Sequence, residues 1–217
     1  MRTVFLSIVL VMALSCITRG APLSDGELKN LLTAIRQNRS TQADFQEQRV
    51  IRLMKNPVTS LGTVWFQTPN KFRREVKGNS PSITVSDGRD LWIYYPNFKS
   101  AERYPLGKGS PLDATVAAIN SALNLENIET SFNVTAAKGD NGHELQLAPR
   151  TAAMKRVFQK LDLRINSEFR VERTDMLLPN GDRIVTTYSN QKRAGISAST
   201  FEFKPPAGTE VTTPLGQ

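Results

Sequence analysis

Lys71-Phe72-Arg73-Arg74-Glu75-Val76-Lys77, then Ser82-Ile83-Thr84-Val85-Ser86, then Leu91-Trp92-Ile93-Tyr94-Tyr95 are short runs whose residue types alternate with a period of two. Side chains two residues apart share one face of a strand, so each run reads as a half-buried β-strand. In the first, Phe72, Arg74 and Val76 alternate with Lys71, Arg73, Glu75 and Lys77. Gly78-Asn79-Ser80-Pro81 separates the first run from the second, and Asp87-Gly88, a strong two-residue hairpin signal, separates the second from the third. Strands joined by such short turns pair antiparallel, and a meander of this kind decides the fold.

The same period extends outward. Upstream, Asn56-Pro57 marks a turn, and Gly62 inside a strand predicts a bend or bulge. Before it, Ser24-Asp25-Gly26-Glu27 forms a capping box, and Leu28, Leu31, Leu32 and Ile35 follow at helical spacing, predicting an amphipathic helix to about Asn38. Downstream, Pro111 opens a second helical interval over residues 110–124, with Val116, Ile119 and Leu123 on one side. Strands are expected at residues 131–136 and 143–148 around Gly139-Asp140-Asn141-Gly142, and a short helix at 152–158. Leu161, Leu163 and Ile165 then alternate with Lys160, Asp162 and Arg164, and further strands are expected through Phe169 and Val171, from Ile184 to Tyr188 and from Phe201 to Phe203. About eleven or twelve strands with no linker or repeat give a single α+β domain over residues 21–217. So many strands must curl, and helices are available to cover the apolar face.

Residues 1–20 do not read as domain sequence. Met1-Arg2 precedes an apolar run from Thr3 to Ile17, which breaks at Thr18-Arg19-Gly20-Ala21-Pro22, as in a secretory signal peptide cleaved after Gly20. Two other readings compete with it, an uncleaved anchor and lipidation at Cys16. Cleavage removes Arg2, Arg19 and Cys16, taking the basic residues from 28 to 26 against 20 acidic ones and the net charge from +8 to +6. The whole chain has one cysteine and one histidine, which excludes an internal disulfide and a zinc site filled by Cys and His.

Catalytic signatures are sparse. His143 and Glu144 are adjacent on a strand and point to opposite faces, so they form no dyad, and His143 reads as a surface turn histidine. There is no G-x-S-x-G elbow or phosphate-loop motif, and Gly107-Lys108-Gly109-Ser110 lacks the spacing of one. Lys71, Arg73, Arg74 and Lys77 around Phe72 resemble a basic-aromatic nucleic-acid surface, but export and an ordinary edge strand explain the pattern better. What remains is a curved sheet with one apolar face, which either packs dry or encloses a ligand.

Four stretches, in order, resemble the outer-membrane lipoprotein carrier family, the LolA-like proteins. They are Phe45 with a glutamine close behind it, opening the first strand after the helix; Gly62-Thr63-Val64-Trp65-Phe66 with Pro69-Asn70-Lys71-Phe72; the hairpin from Val85 through Asp87-Gly88 and Leu91-Trp92-Ile93-Tyr94 to Pro96; and Phe201-Glu202-Phe203-Lys204-Pro205-Pro206-Ala207-Gly208. The resemblance implies a half-open antiparallel β-barrel of about eleven strands, with helices forming a lid over an apolar cavity. It implies a periplasmic, non-enzymatic, monomeric carrier without cofactor or metal and with no nucleic-acid partner. Such carriers accept acylated lipoproteins from an inner-membrane ABC-type release complex and deliver them to an outer-membrane acceptor. A sensor or regulator of lipids or lipoproteins on the same half-barrel is the alternative, although such relatives usually carry an additional domain.

The cavity lining expected from the resemblance and from Phe72's strand parity is Val64, Phe66, Phe72, Val76, Ile83, Val85, Leu91 and Ile93. The expected lid residues are Leu28, Leu31, Leu32, Ile35, Val116 and Ile119. The family often has arginine before the proline of its P-x-x-F motif, where it holds the lid, whereas this chain has Thr68; Arg73 or Arg74 is the candidate substitute for that latch.

Overall fold

The structure, a computed structural model, describes residues 20–37, 40–67, 70–106, 128–193 and 195–214. Strands β1 (Ser40–Val50), β2 (Val58–Gln67), β3 (Lys71–Lys77), β4 (Ser82–Ser86), β5 (Asp90–Tyr95) and β6 (Ser100–Pro105) form one antiparallel run. Strands β7 (Phe132–Gly139), β8 (Gly142–Pro149), β9 (Lys160–Asn166), β10 (Val171–Leu177) and β11 (Arg183–Arg193) form a second. β1 pairs antiparallel with β11, which joins the two runs, and the short β12 (Glu210–Thr212) adds to β6 in parallel. The result is one twelve-stranded sheet, β12-β6-β5-β4-β3-β2-β1-β11-β10-β9-β8-β7, whose end strands β12 and β7 do not pair with each other. It is an open sheet of twelve strands, where the resemblance implied a half-open barrel of about eleven. Residues 21–23 lie along the free edge of β7, with Leu23 N–H donating to Ala136 O (2.9 Å) and Lys138 N–H to Ala21 O (3.1 Å).

Helix α1 (Asp25–Arg36) forms where expected. Ser24 Oγ accepts from Glu27 N–H (3.4 Å), and Glu27 Oε2 accepts from Ser24 N–H (2.9 Å), which closes the capping box. Its buried Leu31, Leu32 and Ile35 pack with Ala136, Leu145, Leu147, Leu161, Leu163 and Ile165 on one face of β7–β9. The same core takes in Ile128 and Phe132 from around the short α2 (Ile128–Ser131), and Met154 and Phe158 at α3 (Ala152–Lys155). The face that α1 covers is the inner face of the sheet.

Several local expectations change. Residues 110–124, including the expected helix, lie outside the described residues. Phe169 is not in a strand; it occupies the β9–β10 turn at φ 58°. Phe201 closes a 3-10 turn (Ala198–Phe201), because Ser197 caps that turn and draws the chain out of extended conformation. β3 lies between β2 and β4, so its cations do not mark an edge strand. Register passes through Gly62 without a shift on either side, so Gly62 marks no bulge. A Cβ there would meet Glu75 O at 1.9 Å and the Phe45 ring at 2.6 Å, and close approach is what requires the glycine.

The β4–β5 hairpin is set by Asp87, whose carboxylate accepts N–H bonds from Arg89 (2.8 Å) and Asp90 (2.9 Å). Burial alone would raise its pKa, but the N–H donations from Asp90 and Arg89 outweigh burial and lower it. A carboxylate with a lowered folded pKa contributes stability near neutral pH that is lost as pH falls through that pKa. Asp87→Ala is therefore expected to melt below the parent protein near neutral pH and to converge with it in acid; a gap independent of pH would contradict this. Gly62→Ala is expected to cost about 1–3 kcal/mol through overpacking, read as a lower denaturation midpoint, and an unchanged midpoint would contradict the close approach of Glu75 O and the Phe45 ring.

Candidate functional site

Register assigns each residue of β1–β6 to a face, since directly opposed residues of antiparallel strands point the same way. Phe45 opposes Gly62, Ala43 opposes Val64, Phe66 opposes Phe72, and Phe72 opposes Ser86, which opposes Leu91. Across β11, Phe45 opposes Tyr188; Thr186 and Ile184, two and four residues before it, oppose Thr174 and Met176, which in turn oppose Leu163 and Leu161 beneath α1. Val64, Phe66, Phe72, Val76, Leu91 and Ile93 therefore lie on the inner face, in line with the packed core. Ile83 and Val85 do not. They oppose Glu75 and Arg73 on one side and Tyr94 and Trp92 on the other, on the outer face. There the C-terminal segment covers the sheet: Phe203 contacts Trp92 and Tyr94, with ring centroids 5.6 Å away in both cases, and Val85 is 1% exposed.

The inner face of β1–β5 is largely apolar and only partly filled, with Ser82, Thr84 and Ser86 of β4 among its uncharged polar members. Ala43, Phe45 and Val64 are buried, and Phe66, Phe72, Val76 and Tyr188 pack around them while remaining half-buried. Phe66 and Phe72 form a tilted ring pair at 5.3 Å. Leu91 and Ile93 extend the same half-buried surface. Of the expected lid residues, Leu31, Leu32 and Ile35 are buried and Leu28 partly so, all against β7–β9 and not over Phe72. Val116, Ile119 and Thr68 lie outside the described residues.

One ion pair interrupts the apolar face. Arg74 opposes Val64 and Thr84, so it points inward; its Nη2 donates to Glu47 Oε2 at 2.9 Å, and its guanidinium sits 4.3 Å from the Phe45 ring centroid. Arg73 points outward, pairs with Glu75 at 2.7 Å and donates to Thr200 O at 3.1 Å. Of the two expected latch arginines, only Arg74 is on the face where a ligand could meet it. Near the β6 margin, Tyr104 Oη donates to Glu102 at 2.6 Å; burial and that bond push its pKa up to about 12. Burial likewise raises the Tyr188 pKa. Both hydroxyls are thus neutral at physiological pH.

The rest of the surface offers little chemistry. His143 lies in β8, not in a turn, with Phe169 at 6.3 Å, and its neighbour Glu144 turns to the other face and pairs with Arg164 at 3.8 Å. Among the described residues no three His, Cys, Asp or Glu side chains could hold a metal, and no helix is long and apolar enough to cross a membrane. A depression of about 590 Å³ lies on the outer face of β7–β10, but Glu144, Lys160, Asp162, Arg164 and Arg173 in its wall do not suit an acyl chain. Glu47 and Tyr188 were not among the expected site residues. Glu47 could have been found from its spacing two residues after Phe45, whereas Tyr188 joins the site only through the β1–β11 pairing. A double-mutant cycle of Arg74→Met and Glu47→Gln is expected to give a coupling of about 0.5–3 kcal/mol; additive effects would contradict the pairing.

Residues 36–204 match the family described as outer membrane lipoprotein carrier protein LolA. The outer-membrane lipoprotein carrier protein of Methylibium petroleiphilum is 28% identical over 204 residues, covering 92% of this chain and 95% of that protein. The protein of the same name from Coxiella burnetii is 26% identical over 191 residues, covering 85% and 84%. In fold, the chain is similar to an uncharacterized conserved protein from Thermus thermophilus, with a TM-score of 0.53 at 16% identity, over 86% of this chain and 99% of that one.

Proposed function

The chain belongs to the outer membrane lipoprotein carrier (LolA) family, and from that premise we propose that it carries acylated lipoproteins across the periplasm, holding their acyl chains on the inner face of β1–β5. The observation that carries this reading is the half-buried apolar row on that face, with the Phe66–Phe72 pair at its centre. Each buried CH₂ is worth about 0.8 kcal/mol, so the acyl chains of one lipoprotein cost tens of kcal/mol in water and do not cross unaided. An incompletely filled apolar surface recovers much of that free energy.

Cargo must also leave, and that argues against deep, specific anchors. The lining is mainly aliphatic and aromatic, and contacts of that kind bind many chain lengths and release them when a better apolar environment is offered. Arg74 and Glu47 are placed to meet the ester and amide groups where acyl chains join the lipoprotein's N-terminus, and burying them there favours a paired, hydrogen-bonded state. In this reading the donor is an inner-membrane ABC-type release complex and the recipient an outer-membrane acceptor. The protein acts as a monomer in the periplasm after loss of residues 1–20, makes and breaks no bonds, and needs no cofactor.

Lipid extraction and mass spectrometry of the purified protein test this. The parent protein is expected to carry stoichiometric acyl lipid, and Phe72→Glu to retain about a tenth or less, because it places a charge in the apolar row. Acyl lipid absent from both proteins, with an apolar dye that acylated peptide does not displace, would contradict the proposal.

A further inference from the structure

The least buried large apolar side chain among the described residues is Leu53, 98% exposed at the tip of the β1–β2 hairpin, and nothing in the carrier reading uses it. Its neighbours Val50, Met54 and Val58 are 40%, 52% and 47% exposed. Residues 49–58 read Arg49-Val50-Ile51-Arg52-Leu53-Met54-Lys55-Asn56-Pro57-Val58, with three cations and no carboxylate. Apolar and cationic groups thus alternate around one tip.

The tip is both projecting and held. β3 pairs with β2 only as far as Leu61, so Val58, Thr59 and Ser60 continue beyond β3 with β1 alone. At about 3.4 Å per residue that carries the hairpin about 10 Å past β3, while on its other side β1 stays paired with β11 as far as Val50. Met54 N–H donates to Ile51 O (2.9 Å) to close the turn, and Arg52 N–H donates to Asp182 Oδ1 (3.0 Å) in the β10–β11 turn. The Arg52 side chain lies against Gly181, whose φ is +84° and whose Cβ, were there one, would meet Arg52 Cδ at 2.7 Å. Asp182 is itself fixed by Asn180, which donates from Nδ2 at 2.8 Å and accepts from Asp182 N–H at 3.0 Å. The exposed apolar residues are therefore presented on an ordered turn.

A second such pair lies at the same end of the sheet. The strand directions place the β1–β2, β3–β4 and β5–β6 turns together, and the β5–β6 turn exposes Phe98 (80%) beside Lys99. Asn97 Nδ2 ties that turn to Asn79 O of the β3–β4 turn at 2.8 Å.

We propose that the β1–β2 hairpin is a membrane-contact element that docks this end of the protein on an anionic phospholipid surface, Leu53 and Met54 entering the headgroup–acyl boundary while Arg49, Arg52 and Lys55 meet the phosphates. The charge pattern selects the occupant: cations flanking an apolar wedge complement anionic headgroups over hydrocarbon. The shape selects it further. A stable protein interface needs about 800 Å² from each partner, whereas a projecting tip offers a small convex area that a deformable bilayer accommodates. The inference goes beyond the carrier reading and does not depend on it.

Vesicle flotation tests it, using the full chain as processed in cells and no lipoprotein cargo. With vesicles of equal parts phosphatidylglycerol and phosphatidylcholine, the parent protein is expected to partition measurably. The double variant Leu53→Asp, Met54→Asp is expected to partition about tenfold less. Arg52→Glu with Lys55→Glu is expected to lose a similar factor, as is the parent protein on phosphatidylcholine alone or in high salt. All these side chains are at the surface, so melting temperatures should match the parent's. Equal partition of parent and variants would overturn the proposal, because any contribution of residues 3–17 is common to both. So would loss of a cross-link to a partner protein in the variants with vesicle partition unchanged, which would make the hairpin a protein-docking element. Because Phe72→Glu reports acyl loading separately, failure of the hairpin leaves that reading standing, and the reverse holds as well.

Discussion

One helix cannot cover this sheet. α1 has twelve residues and is about 18 Å long, whereas twelve strands about 4.8 Å apart span about 50 Å. The inner face is continuous in register from Leu145 and Leu163 through Thr174, Thr186 and Tyr188 to Phe45, Phe66, Phe72 and Leu91. α1 spends its leucines at one end of it. The sheet is thereby divided into a half that is closed by Leu31, Leu32, Ile35, Phe132 and Phe158, and a half whose apolar side chains remain half-buried.

In the proposed function, that division separates stability from binding. Fully buried residues such as Ile128, Phe132, Leu147 and Ile165 sit in the α1 half, where truncation costs several kcal/mol. The β1–β5 half is steadied from behind, by the C-terminal segment that lays Phe201 and Phe203 on the outer face and takes a hydrogen bond from Arg73. Its inner face adds only the small buried cluster of Ala43, Phe45 and Val64 to the core. In the proposed function such a surface exchanges an apolar ligand without unfolding the protein, and the Arg74–Glu47 pair is a charged point on it.

Much of this was legible in the sequence, and the losses have identifiable causes. The capping box and the Leu28–Ile35 spacing located α1 because helix signals are local, but which strands the helix covers depends on the β1–β11 pairing, and that is not local. The alternation of Ile83 and Val85 with Ser82, Thr84 and Ser86 identified a strand, yet its apolar side proved to be the outer one. Period two defines two faces and leaves open which of them joins the neighbour's; only the register of the Asp87 hairpin settles it. The usual rule that the apolar side faces the cavity failed because the C-terminal segment covers the outer face of β4. Arg73 and Arg74, adjacent and alike in type, are separated by the same rule into an outer structural contact and an inner one.

The most direct test of the proposed binding face is photocrosslinking from single positions on the two sides of the same strands. A photoreactive side chain at Phe66 or Ile93, on the inner face, is expected to crosslink a bound triacylated peptide, and one at Trp65 or Ile83, on the outer face, is not. Crosslinks from the outer positions, or equal yields from both faces, would contradict the placement of the cargo on the open half of the inner face.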